Sequence, residues 1–338
     1  MCSVEGQILI LDIHKYSTYV VEVFGLIFNF LVIHLLNTDN KSTKTSYKVC
    51  VIMHCIMDIG LGFFHLIGIF QVEAVGTTTF MTLAGVMQYI NVYLAHTWCF
   101  TITNFLFTCS IFCGSITIIY RYLVVVKRKT LETKVVISMA IPIILTAGVS
   151  ASQYVTSFGE LPKEEYQALK KLLNTKIWAR DKVYGEDFIA LTTPITRKTG
   201  SFYSYFTIAT FIIVAAIIII FSILISIHLK GNRSNMTKST LKLEKQIQTT
   251  LLIQALFPIG LGYVPNILPS IMLMFSVPFQ CYIIFVGVCI TYIPLINPCI
   301  LLFLTPQYRN RMFNCFRKRE QFVGAKTTTF IKNSKVIK

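Results

Sequence analysis

Charged residues are scarce in this chain: they make up 14% of its 338 residues, whereas 54% are apolar. A soluble domain carries about a quarter charged residues, so the composition excludes an ordinary soluble globular protein. The sequence also lacks paired metal-ligand spacings, a glycine-rich phosphate loop and a nucleophile placed near a base. We therefore expect no enzyme, no bound metal and no cofactor.

Other missing features narrow the class further. No internal repeat is visible, which argues against transporters built from duplicated halves. The first 15 residues lack a basic start and a small-residue cleavage site, so we expect the first helix to act as the insertion signal. Most of the ten cysteines lie inside apolar runs and behave as small hydrophobes. Only Cys2 and Cys281 can plausibly meet outside the membrane, and whether they pair stays open.

Seven apolar segments are long enough to cross a bilayer, which takes about 20 residues each. We predict helices at residues 16–37, 49–71, 88–126, 135–157, 201–229, 246–275 and 279–305. Residues 75–95 are also apolar, but an eighth span would move the basic tail to the other side, so we assign them mainly to a loop. The expected fold is an all-α membrane protein, with a seven-transmembrane helix bundle over 1–305 and a tail over 306–338.

Basic residues alternate between the connections and fix the orientation. Lys and Arg near short loops stay cytoplasmic, and here they crowd the predicted loops 1–2, 3–4 and 5–6 and the tail. Examples from each are Lys44, Arg128, Arg233 and Arg317. We therefore expect a plasma-membrane protein with its amino terminus outside and its carboxyl terminus cytoplasmic. The net charge of +16 then faces the anionic inner leaflet of the lipid bilayer, so it does not indicate nucleic acid.

Two segments outside the spans carry amphipathic patterns. The long outer loop 158–200 has leucines at roughly helical spacing, which predicts a short helix in a solvated cap or in a lid over a ligand cavity. After Pro306, aromatic residues alternate with Arg309, Arg311 and Arg317. This pattern predicts a short amphipathic helix on the inner leaflet. Cys315 within it is a candidate for lipidation, with a free buried thiol as the alternative.

Three polar side chains fall at mid-membrane depth, namely Asn29, Asp58 and Asn297. An acid inside a membrane helix usually faces the bundle interior and needs partners, and the two asparagines can supply amide donors. We interpret these residues, with Pro298, either as a hydrogen-bonded packing contact or as a switch that rearranges on activation and holds a cation or proton. The two readings are compatible.

Prolines are concentrated in the last two predicted helices. Pro258 and Pro265 lie in helix 6, and Pro294 lies in helix 7. A proline inside a helix removes one backbone hydrogen bond and kinks the helix. Membrane helices tolerate proline, but the concentration in two adjacent helices favours a moving pair.

The two ends of the bundle offer different chemistry. At the inner end, Tyr120-Arg121-Tyr122 closes helix 3, and the arginine either sets topology or meets a partner helix through its five donors. Lys242 and Lys245 add charge from loop 5–6. The outer half of the bundle holds three further polar residues, Glu22, His65 and His96. They either pack within the bundle or contact a ligand.

Three stretches together resemble nematode serpentine chemoreceptors, a branch of the seven-transmembrane G-protein-coupled receptors that includes the Str, Srd and Srh groups. They are SITIIYRYLVV at 115–125, LEKQIQTTLLIQALFP at 243–258 and IPLINPCILLFLTPQYR at 293–309. The resemblance covers most of the chain. It implies an olfactory-type receptor that binds an extracellular small molecule and activates a heterotrimeric G protein, in a location such as sensory-neuron cilia.

The resemblance also assigns roles and marks departures. Arg121 matches the arginine that rhodopsin-like receptors keep at the end of helix 3, and Asn29, Asp58 and Asn297-Pro298 match their polar core. Tyr120 stands where that class has an acid, and Leu301 where it has a tyrosine. The loop 158–200 has no cysteine, so the usual bridge to helix 3 cannot form. The alternatives are a seven-helix ligand-gated channel and a small-solute transporter.

Overall fold

The computed structural model describes residues 3–38, 45–129, 131–158, 161–194, 198–231, 259–274, 282–305 and 308–312, with single positions and runs of two or three residues between 237 and 257. Eleven helices of the described residues are labelled in chain order: α1 Val4–Asn37, α2 Thr45–Gly68, α3 Tyr93–Val125, α4 Thr133–Ser138, α5 Ala140–Ser157, α6 Lys163–Lys170, α7 Thr175–Trp178, α8 Lys198–Gly231, α9 Val264–Met274, α10 Tyr282–Thr291 and α11 Ile293–Leu304.

Within the described residues, six helical segments are long and apolar enough to cross a membrane. They correspond to the first five predicted spans and the seventh, with α4 and α5 forming one segment and α10 and α11 another. The sixth predicted span is described in part, through α9 and the turns before it. The predicted bundle of membrane helices is confirmed. Glu132 precedes α4, and a turn at Met139 separates α4 from α5.

The first helix begins at Val4, not at residue 16 as predicted. Ser3 caps it, because the Ser3 hydroxyl accepts a hydrogen bond of 3.1 Å from the Gly6 amide. The hydropathy pattern missed the first three turns because they carry charged residues such as Asp12 and Lys15. Those turns project beyond the apolar part of the helix and pack against loop segments.

Three strands cover one end of the bundle, and the sequence analysis did not predict them. β1 (Phe70–Val75) pairs antiparallel with β2 (Thr78–Leu83), and β2 pairs antiparallel with β3 (Leu191–Pro194). The hairpin turn has two residues and begins at Gly76, whose φ of 60° suits a glycine in such a turn. As a result, predicted helix 2 ends early at Gly68, and predicted helix 3 begins late at Tyr93.

We call the sheet, the turn Val86–Tyr89 and residues 161–190 the cap. The cap has its own apolar core, in which Phe80, Trp178, Phe188 and Ala190 pack against Leu11 of α1. Ion pairs tie the same face of α1 to the cap, because Arg180 donates to both Asp12 and Asp181. The predicted short helix of the long loop is present as α6, and α7 follows it.

The last two spans are interrupted near the prolines. A π-helical segment, Ile259–Tyr263, precedes α9, and Pro265 lies in the first turn of α9. A turn at Tyr292 separates α10 from α11, and Pro294 follows in the first turn of α11. Pro294 therefore lies at the start of a helical segment, where its missing N–H costs nothing, whereas Pro265 directly follows the π-helical segment. Pro298 is the proline inside α11.

Several predicted features fall on parts of the chain that the structure leaves out. Residues 308–312 are helical, at the place where the amphipathic helix is predicted. Cys315 lies outside the described residues, as do Cys2, Cys281, Pro258, Lys242 and Lys245. The other seven described cysteines are free thiols inside helices, six of them buried.

A substitution in the apolar core of the cap tests whether the cap folds as one unit. Phe80 is fully buried, so Phe80→Ala leaves a cavity that costs about 3–5 kcal/mol. We expect the β1 and β2 amides to lose protection from hydrogen exchange, while the amides of α3 keep theirs. The control is Phe63→Ala, since Phe63 is 53% exposed on the bundle surface. Unchanged protection of the cap in Phe80→Ala would contradict a cooperative cap core.

Candidate functional site: a polar node and a capped end

Asp58 lies at the centre of the bundle and joins three helices. Its side chain is 1% exposed. Ser110 of α3 donates its hydroxyl to Asp58 Oδ1. Asn297 of α11 donates from Nδ2 to Asp58 Oδ2 at 3.1 Å. Because a buried carboxyl without partners is very costly, these contacts hold α2, α3 and α11 in one arrangement.

His54 completes the group, one turn before Asp58 on α2. Its Nε2 lies 3.0 Å from Asn297 Nδ2 and 3.8 Å from Asp58 Oδ2. The two hydrogens of the Asn297 amide can serve both acceptors, one at Asp58 Oδ2 and one at the lone pair of His54 Nε2. We call His54, Asp58, Ser110 and Asn297 the polar node. All four side chains are buried.

Asn29 does not reach Asp58, although the sequence suggested it as a donor to that acid. Its Nδ2 donates instead to the Pro294 carbonyl at 2.8 Å and to the Gly25 carbonyl at 2.9 Å. In a regular helix the Pro294 carbonyl would accept from the amide of residue 298, but Pro298 has no N–H. Asn29 therefore satisfies the carbonyl that Pro298 leaves free. α1 approaches closely here, since a Cβ on Gly25 would lie 3.3 Å from the Leu295 amide nitrogen.

Glu22 and His65 form a second buried contact, nearer the cap. His65 Nδ1 lies 2.5 Å from Glu22 Oε1, and both residues are at most 3% exposed. The contact joins α1 to α2. The other carboxylate oxygen packs on Gly62, where a Cβ would lie 2.8 Å away. The ring of His65 also meets Phe70 of β1 edge-on, with centroids 5.6 Å apart, so this pair touches the base of the cap.

His96 lies apart from Glu22 and His65, although the sequence analysis grouped the three. It is in the first turn of α3, where its Nε2 lies 2.8 Å from the Ile90 carbonyl. Lys182 of the cap is nearby and donates from Nζ to Gln71, Thr82 and the Leu83 carbonyl. Burial, together with repulsion from Lys15, lowers the pKa of Lys182 to about 7, against the opposing attraction of Asp181.

The opposite end of the bundle holds the Tyr-Arg-Tyr segment. Tyr120 is buried and packs near Tyr47 of α2, with ring centroids 6.2 Å apart. Tyr122 meets Phe221 of α8 edge-on at 4.9 Å. Arg121 lies between them in the last turns of α3 and is half-buried. The two tyrosines fix the end of α3 against its neighbours, and the arginine stands at the mouth of the bundle.

The sequence analysis did not predict three residues of these sites: Ser110, His54 and Lys182 of the cap. His54 and Asp58 are four residues apart on one helix face, a spacing that could have drawn attention to the pair. Ser110 carries no such signal, because its contact with Asp58 depends on how α2 and α3 pack. Among the described residues, no group of three or more His, Cys, Asp and Glu side chains is placed to hold a metal ion.

The contact between Asn29 and Pro294 can be tested with a double substitution. Asn29→Leu strands a buried carbonyl, so we expect a loss of about 1–3 kcal/mol in the free energy of unfolding of the purified chain. In a Pro298→Ala background the new amide can bond to the Pro294 carbonyl. The same Asn29→Leu change should then cost clearly less. Equal costs in both backgrounds would refute the assignment.

Comparisons with known proteins agree on the fold. The family model of the serpentine type 7TM GPCR chemoreceptor Str matches residues 14–313. The crystal structure of squid rhodopsin is similar, with a TM-score of 0.67 over 92% of this chain and 86% of that chain, at 14% sequence identity. A comparison with curated proteins finds no match.

At 14% sequence identity, the likeness to squid rhodopsin shows the seven-helix fold alone. The family match, in contrast, spans most of the sequence. The chain belongs to the serpentine 7TM chemoreceptors of the Str family, which are G-protein-coupled receptors.

Proposed function

We propose that this receptor binds a small molecule at its capped end and activates a heterotrimeric G protein at the opposite end. The observation that carries the proposal is the polar node, which joins α2, α3 and α11 through Asp58. A node of a few hydrogen bonds between separate helices can exist in two arrangements. A ligand shifts such a balance only through its different affinities for the two states.

We also infer the orientation. The capped end lies outside the cell, because the basic loops 39–44, 127–134 and 230–245 and the basic tail lie at the other end of their helices. Positive loops stay cytoplasmic. The receptor would then sit in the plasma membrane, with its amino terminus outside, in a sensory cell whose cilia meet the stimulus.

The last two spans are the helices that we expect to move on activation. The π-helical segment Ile259–Tyr263 and the turn at Tyr292 interrupt the regular hydrogen-bond ladder. Interrupted helices change angle more readily than continuous ones. α11 carries Asn297 only five residues after Tyr292, so a change at the turn would act directly on the polar node. The turn at Tyr292 is therefore linked, through Asn297, to the polar node that joins α2, α3 and α11.

The G protein would dock at the mouth marked by Arg121. Tyr120 and Tyr122 hold the end of α3 by ring contacts with Tyr47 and Phe221. The guanidinium offers five donors in a planar fork, which suits the free carbonyls at the end of an incoming helix. Because a tyrosine replaces the acid found before this arginine in rhodopsin-like receptors, the inactive state would be held by packing at this place.

Arg121→Ala tests this docking role. At equal surface expression we expect ligand-evoked nucleotide exchange on the G protein to fall about ten- to hundredfold, the loss of one or two charged hydrogen bonds. Ligand affinity measured without G protein should stay the same. Lys134→Ala is the matched control, since Lys134 is an exposed cation on the same face. Unchanged exchange in Arg121→Ala would remove the arginine from the coupling site.

A wider assay separates the receptor from its alternatives. In cells that express the chain, the proposal requires a second-messenger response to a stimulating molecule, and that response must disappear when the G protein is inactivated. An ionic current that survives G-protein inactivation would instead favour a channel. Uptake of the molecule without any second messenger would favour a transporter.

A further inference from the structure

The first helix carries an apolar stripe on the side that faces away from the bundle. Its six large apolar residues are each 47–66% exposed and follow one another at alternating intervals of four and three residues: Leu9, Ile13, Tyr16, Val20, Val23 and Ile27. Buried residues of the same helix, among them Leu11, Thr18 and Gly25, lie on the opposite face and pack into the protein. We call the six exposed residues the α1 stripe.

The α1 stripe extends beyond the part of the helix that lipid tails can cover. α1 has 34 residues and is therefore about 51 Å long, whereas the hydrocarbon core of a bilayer is about 30 Å thick. Counted from the end of α1 opposite the cap, at Asn37, about 20 residues span that core. Tyr16 then lies at the border on the capped side, where tyrosine is common in membrane proteins.

Leu9 and Ile13 lie beyond that border, at the level of the cap. On another face of the same turns, Arg180 donates to Asp12, and 34% of the Arg180 side chain is exposed. Charged groups that solvent reaches mark a level outside the hydrocarbon. Leu9 is 59% exposed and Ile13 is 52% exposed, so neither the described chain nor lipid tails cover them. Apolar surface that is continuous with a larger patch and left in water indicates contact with another molecule.

The order of residue types in the α1 stripe indicates what kind of molecule this is. Intervals of four and three residues make a heptad repeat, the pattern of helices that pair as a coiled coil. The a positions of this repeat are Ile13, Val20 and Ile27, which are all β-branched. β-branched residues at a favour two parallel helices. The flanking positions bring no like charges together in these turns, because Asp12 at g would face Ser17 at e.

Two copies of this chain can supply such a pair. Both insert into a membrane in the same direction, so their α1 helices run parallel, and the same stripe on each helix meets itself across a two-fold axis. Contact along the whole stripe buries on the order of 1,000 Å², which is enough for a specific interface. The contacts of α1 with its own bundle remain in place, because Glu22 and Asn29 are buried on the other side of the helix.

We propose that the α1 stripe is the contact surface of a homodimer, in which the α1 helices of two copies pack in parallel from the level of the cap down into the bilayer. This arrangement covers Leu9 and Ile13, which the single chain leaves exposed. The inference goes beyond the proposed signalling function and does not depend on it.

Cysteine cross-linking of the purified full chain in lipid vesicles tests the pairing. Ile13→Cys is introduced after Cys2, Cys281 and Cys315, which lie outside the described helices, have been replaced by serine. Facing a positions of a parallel pair lie within disulfide reach, so we expect mild oxidation to yield a linked dimer. Leu94→Cys is the matched control, since Leu94 is apolar and 61% exposed in the first turn of α3. Equal yields of dimer from the two positions would overturn the proposal.

A charge at the same position gives a second measurement. Ile13→Lys would place two ammonium groups in one layer of the pair, so self-association measured by energy transfer between labelled copies should weaken about tenfold or more. Leu94→Lys should leave self-association unchanged. Unaltered association of Ile13→Lys would contradict the proposal. If Ile13→Lys does not fold, the yields of cross-linking at Ile13 and Leu94 still decide.

Cross-linking in membranes of cells that express the chain distinguishes a second copy from other partners. A dimer of this chain from Ile13→Cys, both in these membranes and in vesicles of the purified chain, would support the proposal. A link to a different protein in cells, without any dimer in the vesicles, would overturn it in favour of another partner. No link in either preparation would also overturn it, and would mean that Leu9 and Ile13 contact lipid headgroups only.

Discussion

Buried polar groups need partners, and in a bilayer those partners come from neighbouring helices. Asp58 illustrates the constraint, because its carboxyl is buried at mid-span and its hydrogen bonds come from Ser110 and Asn297 on two other helices. Lipid tails are as apolar as the side chains, so helix association depends on close packing and on hydrogen bonds between helices. The polar contacts therefore add specificity to the packing that holds α2, α3 and α11 in one register.

The same constraint explains the contact between α1 and α11. Pro298 removes a backbone donor, and Asn29 replaces it from another helix. Closer to the cap, Glu22 and His65 join α1 to α2 in the same way. α1 is thus tied to two neighbours by side chains that have no alternative partner in lipid. The three contacts lie at different positions along the helices that they join.

The cap depends on a different kind of interaction. Its core is apolar and packs on the projecting turns of α1, and Arg180 adds ion pairs to Asp12 and Asp181. These ion pairs are partly exposed, so their contribution is small and sensitive to salt. The apolar core around Phe80 and Trp178 therefore carries most of the stability of the cap.

The sequence predicted the helices well because bilayer thickness and hydrophobic length are directly related. It predicted the depth of Asn29, Asp58 and Asn297, since polar residues in apolar runs are conspicuous. It could not predict their partners, because Ser110 and the Pro294 carbonyl become neighbours only through helix packing. The cap strands were not predicted for two other reasons. Residues 70–83 are apolar, and their pattern fits a helix or a loop as well as a strand. Their pairing with Leu191–Pro194 also joins segments more than a hundred residues apart in the sequence.

The central claim is that the polar node acts as one unit, and a double-mutant cycle tests it most directly. The free energy of unfolding of the purified chain is measured for Ser110→Ala, Asn297→Ala and the double variant. If both side chains stabilise the same carboxyl, the account predicts a coupling of about 0.5–3 kcal/mol between the two substitutions. Strictly additive effects would show that Ser110 and Asn297 act independently, and would contradict the account.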